Sequence, residues 1–418
     1  MTRTTSATIA PGTPGRQGSR CEPLDVVEIA HADHIAPFAY LHLSFDGPIN
    51  TGRLTRAVHR VTEVVPQTLS RIDAKQLRFC PTSLSARDTV SEQTGPVWTG
   101  PDWDLCQGPQ LRITVGHQPT GDSMVLGVSH VLADGRGLVQ LASLLAAAYS
   151  GDTVPPRNSR SVEPLLIGPR VGRRTHAEDV GRRLPSLSLP LPGDGAGRFC
   201  RTVTLRPHTM KALHSQAKRA GVSLNDIFIA AYARVVGRIT GVTTLSLPCP
   251  ADLRRFGDVR PLTIANLTGM FRVTITVGPE GLAATAAQVH DEMSRLRQRR
   301  RCFAGITDLA TLHRIAPATL TRHVVRRAYS ILPVSYTNLG RMEPSDYRFA
   351  DLAPLGGFVT GTYRTPPEFQ LGVSTFGTAT TLSCALTGDQ RRADACEDVL
   401  HQIAHECEQW TDSQQSRS

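Results

Sequence analysis

The alternation of apolar and polar positions is most informative over residues 123–145, where its period changes. Residues 123–129 place an apolar side chain on the same face at every second position, which predicts a strand. From residue 138 onward, leucines recur at the three- and four-residue spacing of a helix. The turn between them contains His130, Asp134 and Gly135, and the Asp-Gly pair favours a sharp bend. Histidine is well suited to take and return a proton near neutral pH, so this turn is a candidate site of chemistry.

The rest of the chain alternates strand-like and helix-like segments in two halves. The first half adds a predicted strand at 38–45, an amphipathic helix over about 54–65 and a strand at 112–115. In the second half, strands are predicted at 199–205, 244–247, 271–277, 335–338, 370–375 and 380–386. Helices are predicted there at 209–220, 224–236, 283–299 and 393–410. This pattern predicts an α/β protein in which each half forms a mixed sheet covered by helices.

Two segments show no periodic pattern. Residues 1–21 are rich in Thr, Ser, Gly and Pro and predict a disordered tail without the apolar core of a secretory signal. Residues 153–198 are rich in Pro and Arg and predict a linker between an N-terminal lobe, 22–152, and a C-terminal lobe, 199–418. The length of 418 residues also favours two domains.

Composition narrows the class of protein. Apolar residues make up 40% and charged residues 20%, which suits a large globular enzyme, and no apolar run is long enough to cross a bilayer. The nine cysteines contain no Cys-x-x-Cys pair, which argues against a disulfide framework and predicts a cytoplasmic protein. His401 and His405 have a helical spacing that can bind metal, but no third ligand accompanies them. No metal site is therefore predicted.

The formal net charge of +10 is carried almost wholly by arginine, which binds phosphate in bidentate fashion. Arginines cluster at 295–301, at 322–327 and within 157–183. One interpretation is a solvated surface, and the other is an anionic partner. Nucleic acid is disfavoured because aromatic residues make up only 5% of the chain and none interleaves with these clusters.

Several short motifs, taken in order, resemble one enzyme superfamily. His130-x-x-x-Asp134-Gly135 resembles the His-x-x-x-Asp-Gly signature of chloramphenicol acetyltransferase, peptide-synthetase condensation domains, plant BAHD acyltransferases, wax ester synthases and mycobacterial polyketide-associated acyltransferases. Further segments that resemble this superfamily, in its order, are 103–112, 223–226, 250–254, 266–269 and 335–340. The resemblance spans about 22–410. Many members have two consecutive histidines, of which the second is catalytic, whereas this chain has Ser129 before His130.

The resemblance implies two chloramphenicol-acetyltransferase-like lobes with an active-site channel between them. It implies direct acyl transfer without a covalent acyl-enzyme, with His130 as the general base that deprotonates an acceptor. Asp134 is the second residue assigned to the catalytic motif. It resembles the superfamily's motif aspartate, which holds the turn by pairing with an arginine of the second lobe. Arg254 is the first candidate for that partner and Arg255 the second.

Candidate donors to the oxyanion are the backbone N–H of Gly135 and the hydroxyls of Ser335, Thr337 and Ser374. Asn338 resembles a residue that lines the channel, although an asparagine before Leu-Gly is also a common turn former.

The function implied is transfer of an acyl group from a thioester, acyl-CoA or acyl carrier protein, to a hydroxyl or amine of a small molecule. An anionic partner of this kind would give the arginine clusters a role. We expect no cofactor beyond the thioester co-substrate, no nucleic acid, no membrane span, and a monomer. Two alternatives stay open: a free-standing condensation enzyme that joins carrier-bound substrates, and a non-catalytic member that only binds a partner. Intact His130 and Asp134 weigh against the last.

Overall fold

A computed structural model describes residues 18–101, 103–167, 171–257 and 262–415. The predicted disordered tail lies outside these residues up to residue 17. The other four residues of that tail, 18–21, include a short strand, Ser19–Arg20, which pairs with Arg78 and Phe79, so the expectation of disorder is wrong for them. Among the described residues, none of the helices is long and apolar enough to span a membrane.

Strands and helices alternate along the described chain. The strands are β1 (Ser19–Arg20), β2 (Phe38–Phe45), β3 (Arg71–Asp73), β4 (Arg78–Cys80), β5 (Val90–Thr94), β6 (Leu111–His117), β7 (Ser123–Ser129), β8 (Arg198–Leu205), β9 (Thr244–Asp252), β10 (Thr268–Thr276), β11 (Val334–Met342), β12 (Pro354–Thr360), β13 (Phe369–Phe376) and β14 (Ala379–Thr387). The helices are α1 (Asp25–His31), α2 (Thr51–Val64), α3 (Gly135–Ser150), α4 (Glu163–Leu166), α5 (His176–Gly181), α6 (Pro207–Ala220), α7 (Leu224–Thr240), α8 (Leu282–Gln298), α9 (Ile306–Ile315), α10 (Ala318–Ala328) and α11 (Gln390–Gln415).

A five-stranded mixed sheet carries the predicted turn. Its strand order is β12-β2-β7-β6-β5, and β7 pairs antiparallel with β2 on one side and β6 on the other. Every residue of β7 is buried, and the apolar faces of α2 and α3 belong to the same hydrophobic core as one face of the sheet. A strand covered on both faces is held firmly, so its carboxyl end is a rigid support for the turn that follows.

Strand β12 joins this sheet although it comes from the second half of the chain, with Thr360 opposite Tyr40. The sequence pattern does not predict β12, because its two adjacent glycines, Gly356 and Gly357, interrupt any apolar alternation. The exchange ties the two halves of the chain together beside the turn.

The second half forms a four-stranded sheet of order β11-β13-β14-β8 and a separate two-stranded sheet of β9 and β10. Helix α7 has apolar residues on all of its faces and is buried over most of its length. It begins with a capping box between Ser223 and Asp226. The segment expected to lack periodic structure contains two short helices, α4 and α5, so that expectation is wrong for these residues. Helices α1, α9 and α10 were also not predicted from the pattern. The mixed α/β class predicted from sequence is confirmed.

Burial of His42 predicts that the protein is less stable at acid pH. His42 lies on β2 with its ring stacked 4.4 Å from that of Phe358, and burial lowers its pKa to about 3. An unfolded histidine has a pKa of about 6.5, so folding favours the neutral ring above that pH, and stability is lost as the pH falls from 6.5 towards 3. We expect this group alone to cost about 1.4 kcal/mol of unfolding free energy per pH unit.

Urea unfolding at pH 7, 6 and 5 measures this loss. In His42→Gln the fall in unfolding free energy with acid should be shallower, and in His59→Gln, on the exposed face of α2, it should match the wild type. Parallel slopes for wild type and His42→Gln contradict the prediction.

Candidate active site

The end of β7 positions His130. The backbone N–H of His130 donates to the carbonyl of Pro37, 2.6 Å away, just before β2 begins. Ser129 is buried, and its hydroxyl accepts a hydrogen bond from the N–H of Val131 at 3.1 Å. The serine that stands where many similar enzymes have a histidine therefore shapes the turn behind the imidazole. The His130 side chain keeps 28% of its surface exposed, on the wall of a cavity.

Asp134 caps α3 and holds the turn to the second half of the chain. Its Oδ1 accepts from the N–H of Gly137 at 2.7 Å, as an N-cap residue does. Its Oδ2 accepts from the N–H of Leu267 at 2.7 Å and from the Thr268 hydroxyl at 3.2 Å, and it pairs with Arg254 at 2.9 Å. Burial alone would raise the pKa of Asp134, but the Arg254 charge and these hydrogen bonds hold it below its ordinary value.

Arg254 is the partner of Asp134, and its other donors are also used. Its guanidinium binds Asp252 at 2.9 Å and the carbonyls of Thr263 and Ala265. Burial would lower the pKa of Arg254, but the two carboxylates beside it raise it. Arg255 is exposed on the cavity wall and makes no ion pair with a described residue. The Asp134–Arg254 pair thus joins the α3 turn to the loop after β9.

Helix α1, which the apolar pattern did not predict, packs against the same turn. Arg160 pairs with the buried Asp25 of α1 at 2.8 Å and donates to the carbonyls of Val131 and Leu132. Burial raises the pKa of Asp25 to about 7, against the opposing charge of Arg160. Glu28, also on α1, has its Oε1 3.6 Å from Nδ1 of His130. The spacing of charged residues in this part of the sequence shows no pattern that would have singled them out.

A cavity of about 1200 Å³ contains most of the predicted site residues. Those on its wall are His130, Asp134, Gly135, Arg254, Ser335, Thr337 and Asn338. Because these residues come from both halves of the chain, the cavity lies between them. The Ser335 hydroxyl is enclosed and has no hydrogen-bond partner among the described residues. Gly135 lies so close to Leu339 that an added Cβ would be 2.2 Å from its Cδ2 atom, so a side chain at 135 would require Leu339 to move.

Asn338 acts both as a turn former and as part of the wall. Its Oδ1 accepts from the N–H of Gly340 at 2.8 Å. Its Nδ2 donates to Asn225 Oδ1 at 3.0 Å, and Tyr336 donates to the same oxygen at 2.9 Å. Asn225, in the first turn of α7, was not among the predicted site residues. This cluster fixes the wall where β11 meets α7.

Ser374 does not belong to the cavity wall, contrary to the expectation that it donates to an oxyanion. It is fully buried, and its hydroxyl accepts a hydrogen bond from the N–H of Val359 at 3.3 Å. The tertiary packing of β13 against β12 uses this hydroxyl, and strand periodicity alone does not reveal such a contact.

The arginine clusters are divided between structural and cavity positions. In the first cluster, Arg301 makes two bonds to Glu178 at 2.9 and 3.0 Å and lines the cavity, as does Arg297. Arg182 and Arg272 also line it, and neither forms an ion pair with a described residue. Burial, followed by the nearby Arg182 charge, lowers the pKa of Arg272. This part of the wall therefore has an excess of positive charge.

Other arginines of the clusters are used within the protein. Arg295 pairs with Glu292 and Arg326 with Asp33, and Arg322 binds a backbone carbonyl. Much of the basic charge seen in the sequence is therefore structural or solvated.

At the level of amino-acid sequence, this chain is similar to known proteins over only a short stretch. No protein-family profile matches the chain. The malformin synthetase mlfA of Aspergillus luchuensis and that of Aspergillus kawachii are each 27% identical over 128 residues, 28% of this chain. The chain spans only 2% of the length of these curated relatives.

Solved structures are similar over almost the whole chain. The first condensation domain of the calcium-dependent antibiotic synthetase, in complex with a substrate analogue, has a TM-score of 0.64 at 17% identity, over 95% of this chain and 97% of that one. Polyketide synthase associated protein 5 from Mycobacterium tuberculosis has a TM-score of 0.64 at 16% identity, over 94% and 100% of the two chains. The starter condensation domain of rhizomide synthetase, in complex with C8-CoA, has a TM-score of 0.60 at 14% identity, over 93% and 94%. This chain therefore has the two-lobed α/β fold of condensation domains.

Proposed function

We propose that this protein is an acyltransferase that moves an acyl group from a thioester to a hydroxyl or amine of a small molecule. The observation that carries the proposal is the position of His130. Its imidazole is on the wall of a cavity between the two halves, on a turn held by the buried Asp134–Arg254 pair. The condensation-domain fold supports the same class of chemistry.

The reaction follows from these positions. His130 takes the proton of the acceptor hydroxyl or amine as the acceptor attacks the thioester carbonyl. The tetrahedral intermediate carries a negative oxygen, for which the candidate donors on the cavity wall are the Ser335 hydroxyl, the Thr337 hydroxyl and the Gly135 N–H. Collapse breaks the carbon–sulfur bond, and the departing thiolate takes the proton from the imidazolium. No acyl-enzyme forms and no cofactor is needed, because the thioester is already activated.

The donor in this proposal is acyl-CoA or an acylated carrier protein. C8-CoA is bound in the solved structure of the rhizomide synthetase starter domain. The cavity arginines give this chain a surface that suits the phosphates of either donor. We also propose that the protein acts in the cytoplasm, as a monomer.

Incubation of the purified protein with acyl-CoA donors of several chain lengths and a mixture of alcohols and amines tests the proposal. Release of free thiol, together with a product heavier by the acyl group in mass spectrometry, supports it. Thiol release without an acylated product would indicate a hydrolase and contradict it.

A second candidate function is condensation of two carrier-bound substrates, which the similarity to condensation domains of peptide synthetases favours. The same assay, run with an acyl carrier protein as donor and an aminoacyl carrier protein as acceptor, separates the two. Product that appears only with the carrier-bound pair favours the condensation enzyme.

Arg182 and Arg272, which line the cavity and form no ion pair with a described residue, predict that donor binding depends on salt. Raising the salt concentration from about 0.05 to 0.5 M shortens the Debye length several-fold, so the KM for acyl-CoA should rise while kcat changes less. Arg272→Gln should raise the same KM at low salt and weaken its salt dependence. Arg327→Gln, on the exposed face of α10, is the matched control and should leave both unchanged. A salt-independent KM in the wild type shows that the donor is held without these charges.

A further inference from the structure

Helix α1 presents one face to the cavity beside His130. Leu24, just before the helix, and Val27, Glu28 and His31 within it all line the cavity. Their spacing of three and four residues places them on the same side of a helix. Glu28 is therefore directed towards the site by the helical period and not by a chance loop conformation.

The Glu28 carboxylate lies beside Nδ1 of His130. Oε1 of Glu28 is 3.6 Å from Nδ1 of His130, and 27% of the Glu28 side chain is exposed. Nδ1 is enclosed and has no hydrogen-bond partner among the described residues. A buried polar atom without a hydrogen-bond partner costs folding free energy. A hydrogen bond from Nδ1–H to the nearest acceptor is therefore favoured.

Asp134 does not supply that acceptor. Its two oxygens already accept from Gly137, Leu267 and Thr268, and one of them pairs with Arg254. Within the described residues, Glu28 has the only carboxylate within 4.0 Å of the imidazole.

The separation between Glu28 and His130 is set by well-anchored elements. Arg160 connects them, because it binds Asp25 on α1 and the carbonyls of Val131 and Leu132, directly after His130. The start of α1 is also held by Asn266, whose Nδ2 donates to the carbonyl of Leu24 at 3.3 Å. The 3.6 Å separation exceeds hydrogen-bond distance by less than about 1 Å.

We propose that Glu28 is the positioning residue for His130. Its carboxylate accepts a hydrogen bond from Nδ1–H, which leaves the lone pair on Nε2, and this bond becomes stronger when the imidazole becomes charged. The catalytic consequence rests on the acyltransferase function proposed above, whereas the orientation and tautomer of His130 do not.

The tautomer is measured first, without any reaction. In protein labelled with nitrogen-15 histidine, the His130 signals are assigned by their loss in His130→Gln. We expect the wild type to carry the proton on Nδ1. Glu28→Ala should move it towards Nε2, the commoner form in water, and Glu28→Gln, which keeps an acceptor of the same shape, should shift it less.

A matched control exists on α2, where Glu63 lies 3.7 Å from Nδ1 of His59 and both side chains are mostly exposed. Glu63→Gln should leave the His130 signals and the kinetics unchanged.

The kinetic prediction is a split between kcat and KM. Glu28→Ala should lower kcat about 10²-fold, because a misoriented His130 imidazole is poorly placed to take the proton of the acceptor. The KM should change little. Glu28→Asp, which keeps the charge on a shorter side chain, should recover part of the loss.

The two proposals fail separately. An unchanged His130 tautomer in both Glu28→Ala and the isosteric Glu28→Gln overturns the role of Glu28, whatever the enzyme does. A shifted tautomer in a protein that transfers no acyl group leaves the role of Glu28 in place and overturns the proposed function.

Discussion

His130→Ala is expected to lower turnover by about 10²–10⁴-fold, the range for loss of a general base, and to leave the fold intact. The substitution removes a side chain that is 28% exposed and makes no hydrogen bond with the described residues, so packing changes little. The backbone N–H of residue 130 still donates to Pro37, and the Ser129 hydroxyl still holds Val131.

Single-turnover rates with the best donor, together with the urea midpoint, measure both parts of this prediction. His59→Ala, on an exposed part of α2, is the control for a histidine substitution as such. His31 supplies a sharper comparison, because it also lines the cavity. If turnover is lost in His31→Ala and kept in His130→Ala, the base is His31.

Asp134→Asn and Arg254→Gln are each expected to reduce the unfolding free energy by about 3–5 kcal/mol. Arg254→Gln leaves Asp134 buried without a cation, and Asp134→Asn leaves the guanidinium of Arg254 with only the partly exposed Asp252. Asparagine is itself a good N-cap, so Asp134→Asn tests the charge and not the start of α3. Activity should fall with stability, since the pair holds the turn that carries His130.

The pH dependence has a definite sign. The pKa of Asp134 is lower in the folded protein than in the unfolded chain, so its contribution is complete above the ordinary aspartate value and is lost as the pH falls through the folded value. The wild type should therefore lose stability in acid, and Asp134→Asn should lose less over the same range.

Asp252→Asn is the matched control for this pair. Asp252 binds the same atom of Arg254 at 2.9 Å, but its side chain is 22% exposed, so its loss should cost about 1 kcal/mol or less. Unfolding free energies from urea titration rank the three variants. Loss of activity in Asp134→Asn with unchanged stability would show that Asp134 takes part in the chemistry and is not structural.

The central strand, its turn and the following helix were determined by the sequence. Apolar residues recur at every second position over 123–129 and at every third or fourth position over 138–145. The structure has β7 and α3 at these places. The Asp-Gly pair predicted the bend. A regular apolar period is strong local information, because only one secondary structure buries such a pattern on one face.

The partner of Asp134 was named only through resemblance to known enzymes. The contact joins residues 120 positions apart, and no local pattern specifies such a pair. Local pattern also does not specify the pairing of β12, whose glycines interrupt the apolar alternation. Nor does it specify the hydrogen bond that the Ser374 hydroxyl accepts from the N–H of Val359.

The roles of Glu28, Arg160 and Asn225 follow from the tertiary structure alone. Arg160 lies in the arginine-rich stretch 157–183 and Asn225 in the segment 223–226 that resembles the superfamily, but nothing in the sequence separates them, or Glu28, from the polar residues around them. Their roles depend on which distant backbone or side-chain group each meets once both halves have packed, as Arg160 meets Asp25 and the turn after His130. Local periodicity determines which face of an element is buried, whereas the partner of a polar side chain depends on long-range packing that no short stretch of sequence contains.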